Sequence, residues 1–296
     1  MAHRFGLVAV IGKPNVGKST LVNALVGQKV SIVSAKPQTT RRRVLGIVQG
    51  DGFQVGLVDT PGIHEPHTRL GKTMVDSARQ SLGDVDLVLA VCDASQKPDE
   101  LDKQIAGLLD KAVADVPRVL CLNKMDRLKP EFVVDHVEAY TKLFETEDYM
   151  FTIATSGDNL QKLLDVVISK LPEGDPRFGK DEFTDQSARF LAAELIRERV
   201  LLQTREEVPH ATAVRIESWD DESELVRVNA SIIVEKPGQR AILIGKGGQF
   251  LKKIGTEARQ EIEELLGKKV FLDLHVVARE NWRMNPRVLQ EMEYGG

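Results

Sequence analysis

The chain has 296 residues, 42% of them apolar, and a formal net charge of −4. That length predicts two domains with real cores, and the slight acidity excludes a global attraction to nucleic acid, so any such site must be a local basic patch. No apolar run approaches the ~20 residues a membrane-spanning helix needs, and the first strand-like run starts too early to leave room for a signal peptide. The two cysteines, Cys92 and Cys121, both fall in apolar strand-like runs and read as reduced, buried thiols of a cytosolic protein rather than a structural disulfide.

Residues 7–11 form an apolar run expected to be a buried strand. Gly12-Lys13-Pro14-Asn15-Val16-Gly17-Lys18-Ser19 follows and fits the phosphate-loop pattern G-x-x-x-x-G-K-[ST]. Residues 20–26, opening on Thr20, should be helical, with Leu21 and Leu25 one turn apart and Gly27 as the cap. The strand–loop–helix context is what the motif needs. Gly12 and Gly17 let backbone N–H groups converge on phosphate oxygens at a positive helix end. Lys18 supplies a mobile cation for the outer phosphates, and Ser19 a hydroxyl for Mg²⁺. A chance glycine turn is the alternative, and the flanks argue against it.

Residues 34–43 are polar and basic without an apolar period, which predicts an exposed, mobile loop. Residues 44–49 and 53–58 should form a hairpin around Asp51-Gly52. It ends in Asp59-Thr60-Pro61-Gly62. Asp59 is placed as the second anchor for Mg²⁺, and Gly62 can bring a backbone N–H to a terminal phosphate. Standing alone, the tetrapeptide would be an ordinary turn.

Strands are expected at 87–92, 118–122 and 149–153, and helices at 101–112, 133–144 and 160–171. This alternation implies an α/β domain with a mostly parallel sheet covered on both faces. The strand at 118–122 runs into Asn123-Lys124-Met125-Asp126. Guanine presents N1–H and its N2 amine side by side, and a carboxylate can accept from both. Adenine would set a lone pair against the same carboxylate. Asp126 therefore reads guanine, the Lys124 stem lies along the base, and Asn123 ties this turn to the phosphate loop. A solvated polar turn is the alternative for the tetrapeptide by itself.

Residues 172–184 are rich in Pro, Gly and charge and read as a linker between a nucleotide domain, 1–171, and a second, smaller α+β domain, 185–279. There a helix at 188–202, strands at 210–219 and 225–234, Ile242-Leu243-Ile244, a helix at 249–266 and a strand at 270–277 surround Gly245-Lys246-Gly247-Gly248. This fits the G-x-x-G element of a KH module, which clamps the backbone of single-stranded RNA; a plain glycine-rich turn between helices is the alternative for the tetrapeptide alone. Lys246, Lys252 and Lys253 would add local positive charge to an acidic chain. Residues 280–296 are either an extension of this domain or a tail.

With both sets of motifs in place, the chain resembles the bacterial Era GTPases over almost its whole length. Pro37-Gln38-Thr39-Thr40-Arg41 and Val208-Pro209-His210 add to the likeness. The resemblance implies a Ras-like GTPase domain and a KH domain of the second topological type. It also implies GTP and GDP as ligands with Mg²⁺, binding of the 3′ end of 16S rRNA, and assistance to maturation of the 30S subunit. A monomer in the cytoplasm, peripherally attached to the inner face of the cell membrane, goes with it. In that family a Ser-Ala pair near the end of the last nucleotide-domain strand offers a backbone N–H to the guanine oxygen; here Ala154 holds the alanine place and Ile153 replaces the serine.

The expected charge-stabilising set is Lys18 with Mg²⁺ held by Ser19 and Thr40, Asp59 acting on the Mg²⁺ shell through water, and Gly62 at the terminal phosphate. The glutamine that orients water in Ras-like proteins is replaced by Ile63, so turnover should be slow. In GTPases resembling this one, an asparagine at the place of Asn15 helps to hold K⁺; the alternative is that Asn15 only braces the loop. A GTP-regulated RNA scaffold with negligible turnover is the second reading. An ATP-dependent RNA remodeller is the third, and Asp126 speaks against it.

Overall fold

A computed structural model describes residues 3–36, 38–63, 66 and 68–292. Pro37 and residues 293–296, on which parts of the sequence reading fall, lie outside the described residues. The chain divides into two compact units, with the boundary at Asp185/Gln186 and the short stretches 34–39 and 67–73 grouped with the second unit.

In the first unit six strands make one sheet: β1 (Arg4–Ile11), β2 (Val44–Gly50), β3 (Phe53–Asp59), β4 (Leu87–Asp93), β5 (Arg118–Asn123) and β6 (Tyr149–Phe151). Their order is β2-β3-β1-β4-β5-β6, with only the β2–β3 hairpin antiparallel. The central strands are apolar throughout because both faces are covered; every residue of β4 is buried. One face packs α2 (Arg69–Gln80), α3 (Glu100–Ala112) and α4 (Val133–Phe144) through Ala78, Ile105, Leu109, Tyr140 and Phe144 onto Ile11, Ala90 and Leu122. Side chains alternate along a strand, so Val8, Val10 and Val91 face the other way, where α1 (Lys18–Val26) and α5 (Leu160–Lys170) contact each other and the sheet.

Two expectations need correction. The loop at 34–43 is irregular as expected, but its described residues are mostly half-buried rather than exposed, and Arg41 is buried. The strand placed at 149–153 ends at Phe151, because Ile153 turns to pair with Asp158 instead. The stretch read as the linker, 172–184, lies on the first unit. Phe183 accepts from the Ile47 N–H at 2.9 Å. The Gln54 carboxamide donates to the Phe178 carbonyl at 2.9 Å and accepts from the N–H groups of Arg177 and Phe178. The Phe178 ring packs against Leu45, Ile47 and Val58. Gln54 is buried and this stretch gives it three of its four bonds, the other running from Nε2 to Gln49 Oε1 at 2.9 Å, which is why a Pro- and Gly-rich sequence is held in place.

The second unit runs α6 (Ala188–Gln203), β7 (Ala213–Asp221), β8 (Leu225–Val234), α7 (Pro237–Ile244), α8 (Gln249–Leu266) and β9 (Lys269–Ala278). β8 pairs antiparallel with β7 and parallel with β9. Leu195, Ile196 and Val200 of α6 and Ile254, Ala258 and Ile262 of α8 close a core over Val228, Ala230 and Val276. Nor is 280–292 a loose tail. It forms α9 (Pro286–Glu291), buries Trp282 and Leu289, and bonds the Trp282 indole N–H to the Ala211 carbonyl at 2.8 Å.

Candidate nucleotide and RNA sites

The nucleotide motifs gather at the C-terminal ends of β1, β3 and β5, where an open parallel sheet places its ligands. The phosphate loop fits closely. A Cβ on Gly12 would lie 2.3 Å from the Val91 carbonyl oxygen, and Gly17, at φ +106°, caps α1. Lys18 is buried and donates to the loop's own carbonyls, Gly12 at 3.0 Å and Lys13 at 2.8 Å. Burial draws its ammonium down to about 8, with Asp59 opposing the shift. A buried, under-neutralised cation with no carboxylate in contact suits phosphate oxygens.

Three oxygens converge beside it. Ser19 Oγ donates to Asp59 Oδ2 at 2.8 Å, shares a 2.8 Å hydrogen bond with Thr40 Oγ1, and Thr40 Oγ1 lies 3.5 Å from Asp59 Oδ2. The second oxygen, Asp59 Oδ1, is buried without a hydrogen-bond partner. Burial raises the Asp59 carboxyl, with Lys18 and the hydroxyls of Ser19, Ser31 and Thr40 pulling it back. Two hydroxyls and an orphaned carboxylate oxygen are a hard-oxygen set that fits Mg²⁺. Thr60 anchors the strand end through Oγ1 to the Val10 carbonyl at 2.8 Å, and Gly62 lies so close to Pro14 that a Cβ there would sit 2.9 Å from the Pro14 backbone. Gly62 is thus brought against the phosphate loop, while Ile63 turns into the core.

The turn at 123–126 is anchored by one buried side chain, Asn123. Asn123 donates from Nδ2 to the Val16 carbonyl at 2.8 Å and accepts at Oδ1 from the Thr152 hydroxyl at 3.2 Å and the Ala154 N–H at 3.0 Å. Lys124, at φ +62°, donates to the Asn15 carbonyl at 2.6 Å and to Asp93 Oδ2 at 2.8 Å. Burial works to raise the Asp93 carboxyl, but its bonds from Lys124 and Ser95 prevail and hold it below the usual range. Asp126 keeps a half-exposed carboxylate, with Arg127 Nε at 3.9 Å. Met125 donates its N–H to the Thr152 carbonyl at 3.2 Å.

In the second unit, Gly245, Gly247 and Gly248 all have positive φ, at +70°, +59° and +77°. The turn joins α7 to α8, whose N-terminus has no side-chain cap and no acid in its first turn, leaving its first N–H groups a positive end. Lys246, Lys252 and Lys253 are exposed around it.

A family model described as a 50S ribosome-binding GTPase matches residues 7–124, and a KH-domain model matches 207–283. The GTPase Era of Geobacter metallireducens is 44% identical over 293 residues, 98% of each chain. That of Lactobacillus helveticus is 45% identical over 293 residues, 98% of this chain and 95% of the other. The chain belongs to the Era family of GTPases. Among solved structures, Era in complex with MgGDPNP and nucleotides 1506–1542 of 16S ribosomal RNA superposes with a TM-score of 0.95 at 39% identity, covering 99% of this chain and 100% of the other. An Era variant from Aquifex aeolicus bound to GDP and AlF₄⁻ superposes at 0.94, with 38% identity and the same coverage.

Within this Era fold, the sequence-derived residues of the phosphate loop, Thr40, 59–62 and 123–126 do come together. Ala154 also arrives, but its N–H is taken up by Asn123, so in this structure it braces the turn. At Ile153, in the serine's place, the backbone carbonyl accepts from the N–H of Gly157 at 3.0 Å and of Ser156 at 3.2 Å. Sequence reasoning missed Asp93, Thr152, Asp99 and Asp102. Asp93 was within reach, because it ends an apolar strand that pairs with β5 so that Asp93 stands beside Asn123. The other three emerge only from the packing.

Proposed function

We propose that the protein is a GTP-hydrolysing switch that binds single-stranded RNA at the 3′ end of 16S rRNA and assists maturation of the 30S subunit. The observation that carries this reading is the pairing, in one chain, of a guanine and phosphate site with a glycine turn on an uncapped helix. A relative of the same overall fold holds a GTP analogue and that rRNA segment together.

The residues divide the work. Lys18 is parked on two carbonyls that it can exchange for the β- and γ-phosphates, which stabilises charge on the leaving phosphate. Ser19 and Thr40 would ligate Mg²⁺ directly and Asp59 through water; bound there, the ion neutralises charge developing between the phosphates. Gly62 offers its N–H to the γ-phosphate, and the N–H groups of 12–20 surround the rest. Asp126 accepts from guanine, and Lys124 supports the base from Asp93 and Asn15. Asn15 is also the residue we assign to K⁺. The turn at 245–248, with Lys246, Lys252 and Lys253, takes the RNA backbone.

Ile63 favours a second reading, a GTP-regulated scaffold with negligible turnover, because a core side chain can neither donate to nor accept from the attacking water. We place the protein in the cytoplasm as a monomer, with peripheral attachment to the membrane. No described helix is long and apolar enough to cross a bilayer. Steady-state hydrolysis with and without a short RNA copying the 16S 3′ end separates the readings. GTP-specific turnover raised by the RNA supports the switch. RNA binding without turnover supports the scaffold, and equal competition by ATP removes both.

A further inference from the structure

Lys13, a variable position of the phosphate-loop pattern, is the member of that loop whose side chain is tied outside the motifs. Its ammonium lies 2.7 Å from Asp102 Oδ2 and 2.9 Å from Asp99 Oδ2. Lys13 and Asp102 are almost fully buried, whereas Asp99 is half exposed. Both carboxylates also serve the start of α3. Asp99 accepts from the N–H groups of Leu101 and Asp102, and Asp102 Oδ2 accepts from the Asp99 N–H at 2.9 Å. The Lys13 charge is outnumbered by its two partners, so it adds no net attraction for phosphate. Its backbone matters more. The Lys13 carbonyl receives Lys18 at 2.8 Å, next to a Gly12 that has no space to move toward β4.

We propose that Lys13, Asp99 and Asp102 form a clamp that positions the phosphate loop from the N-terminus of α3, making Lys13 and Asp102 positioning residues for nucleotide binding and hydrolysis. The clamp sets the two carbonyls on which Lys18 rests and the direction of the loop N–H groups. A buried charge-assisted pair holds that geometry more tightly than the loop's own turns could.

Asparagine keeps the acceptor each position needs for the α3 cap while removing the charge. The test therefore compares full-length wild type with Asp102→Asn, Lys13→Met, the double variant and Lys13→Arg. Fluorescent-GDP affinity, kcat and KM for GTP, and thermal unfolding without nucleotide are measured for each. Lys13→Met and Asp102→Asn should each weaken GDP binding about tenfold, about 1.4 kcal/mol, and lower kcat. The double variant should be no worse than either single one, because both remove one interaction. Lys13→Arg should restore affinity to within about threefold, since a guanidinium reaches two carboxylates. Affinity and kcat of Lys13→Met within twofold of wild type would overturn the clamp. So would losses that add in the double variant or follow the unfolding temperature alone.

Discussion

Asn123 and Val16 are joined by one buried hydrogen bond, 2.8 Å from Asn123 Nδ2 to the Val16 carbonyl, between residues 107 apart in sequence. It fixes the distance from the base-reading turn to the phosphate loop. It also explains Gly17, where an added Cβ would stand 2.3 Å from that same Nδ2. The two turns are therefore tied directly to each other.

Gly17→Ala should accordingly lose at least tenfold in GDP affinity. The methyl group displaces Asn123 and also meets the cost of φ +106°. Equilibrium binding of a fluorescent guanine nucleotide checks this, and wild-type affinity would show that the Asn123 bond is dispensable.

Asp126→Asn should lower guanine-nucleotide affinity roughly a hundredfold or more, the loss of two charge-assisted hydrogen bonds. Xanthine nucleotides should gain, because the amide can donate to the oxygen that replaces the N2 amine. A competition titration with GDP and XDP measures the exchange of preference.

The glycine turn allows a graded RNA experiment. At Gly248 a Cβ meets nothing within 4 Å, whereas at Gly245 it would lie 2.6 Å from the Phe250 Cβ. Gly248→Asp should therefore cut RNA affinity about tenfold, by charge repulsion, at the small stability cost of an aspartate at φ +77° and with the fold intact. Gly245→Asp should also lower the unfolding temperature. Both should leave GTP affinity unchanged; filter binding at two salt concentrations, a nucleotide titration and thermal unfolding read the three effects.

Hydrolysis in K⁺ should exceed that in Na⁺ at matched ionic strength. Asn15 has φ +65°, so its side chain stands on a left-handed loop residue whose own carbonyl is already held by Lys124 at 2.6 Å. The carboxamide is thus the part of Asn15 left to meet a monovalent ion. Equal rates in the two salts, or K⁺ stimulation that survives Asn15→Ala, would reduce Asn15 to a brace.

Much of this could be read from the residues, and the failures have physical causes. The phosphate loop announces itself because an apolar strand, two glycines and a helix must follow one another within a few residues. The helix α2 went unread: its buried Leu70, Met74 and Ala78 keep a four-residue spacing, but Gly71, Lys72 and Asp76 dilute it and no acid opens its first turn. Lys13 was legible as part of the loop and not as an ion pair, since Asp99 and Asp102 are brought to it only when β1 and β4 pair and α3 folds back over them. The hold of residues 172–184 on the sheet could not be read from composition, because one aromatic ring among prolines and glycines weighs little in a sequence and a great deal against an apolar face.

That ring bears on how the protein can be divided. If the chain were cut after Leu171, where the nucleotide motifs and their last helix are complete, Leu45, Ile47 and Val58 would lose the Phe178 cover, and the Ile47 N–H on the edge strand would lose its acceptor. Such a fragment presents a sticky, open-edged surface and should self-associate on concentration. A fragment carried on to Asp185 retains its own seal, so the natural end of the nucleotide unit is set by a side chain lying well beyond its last motif.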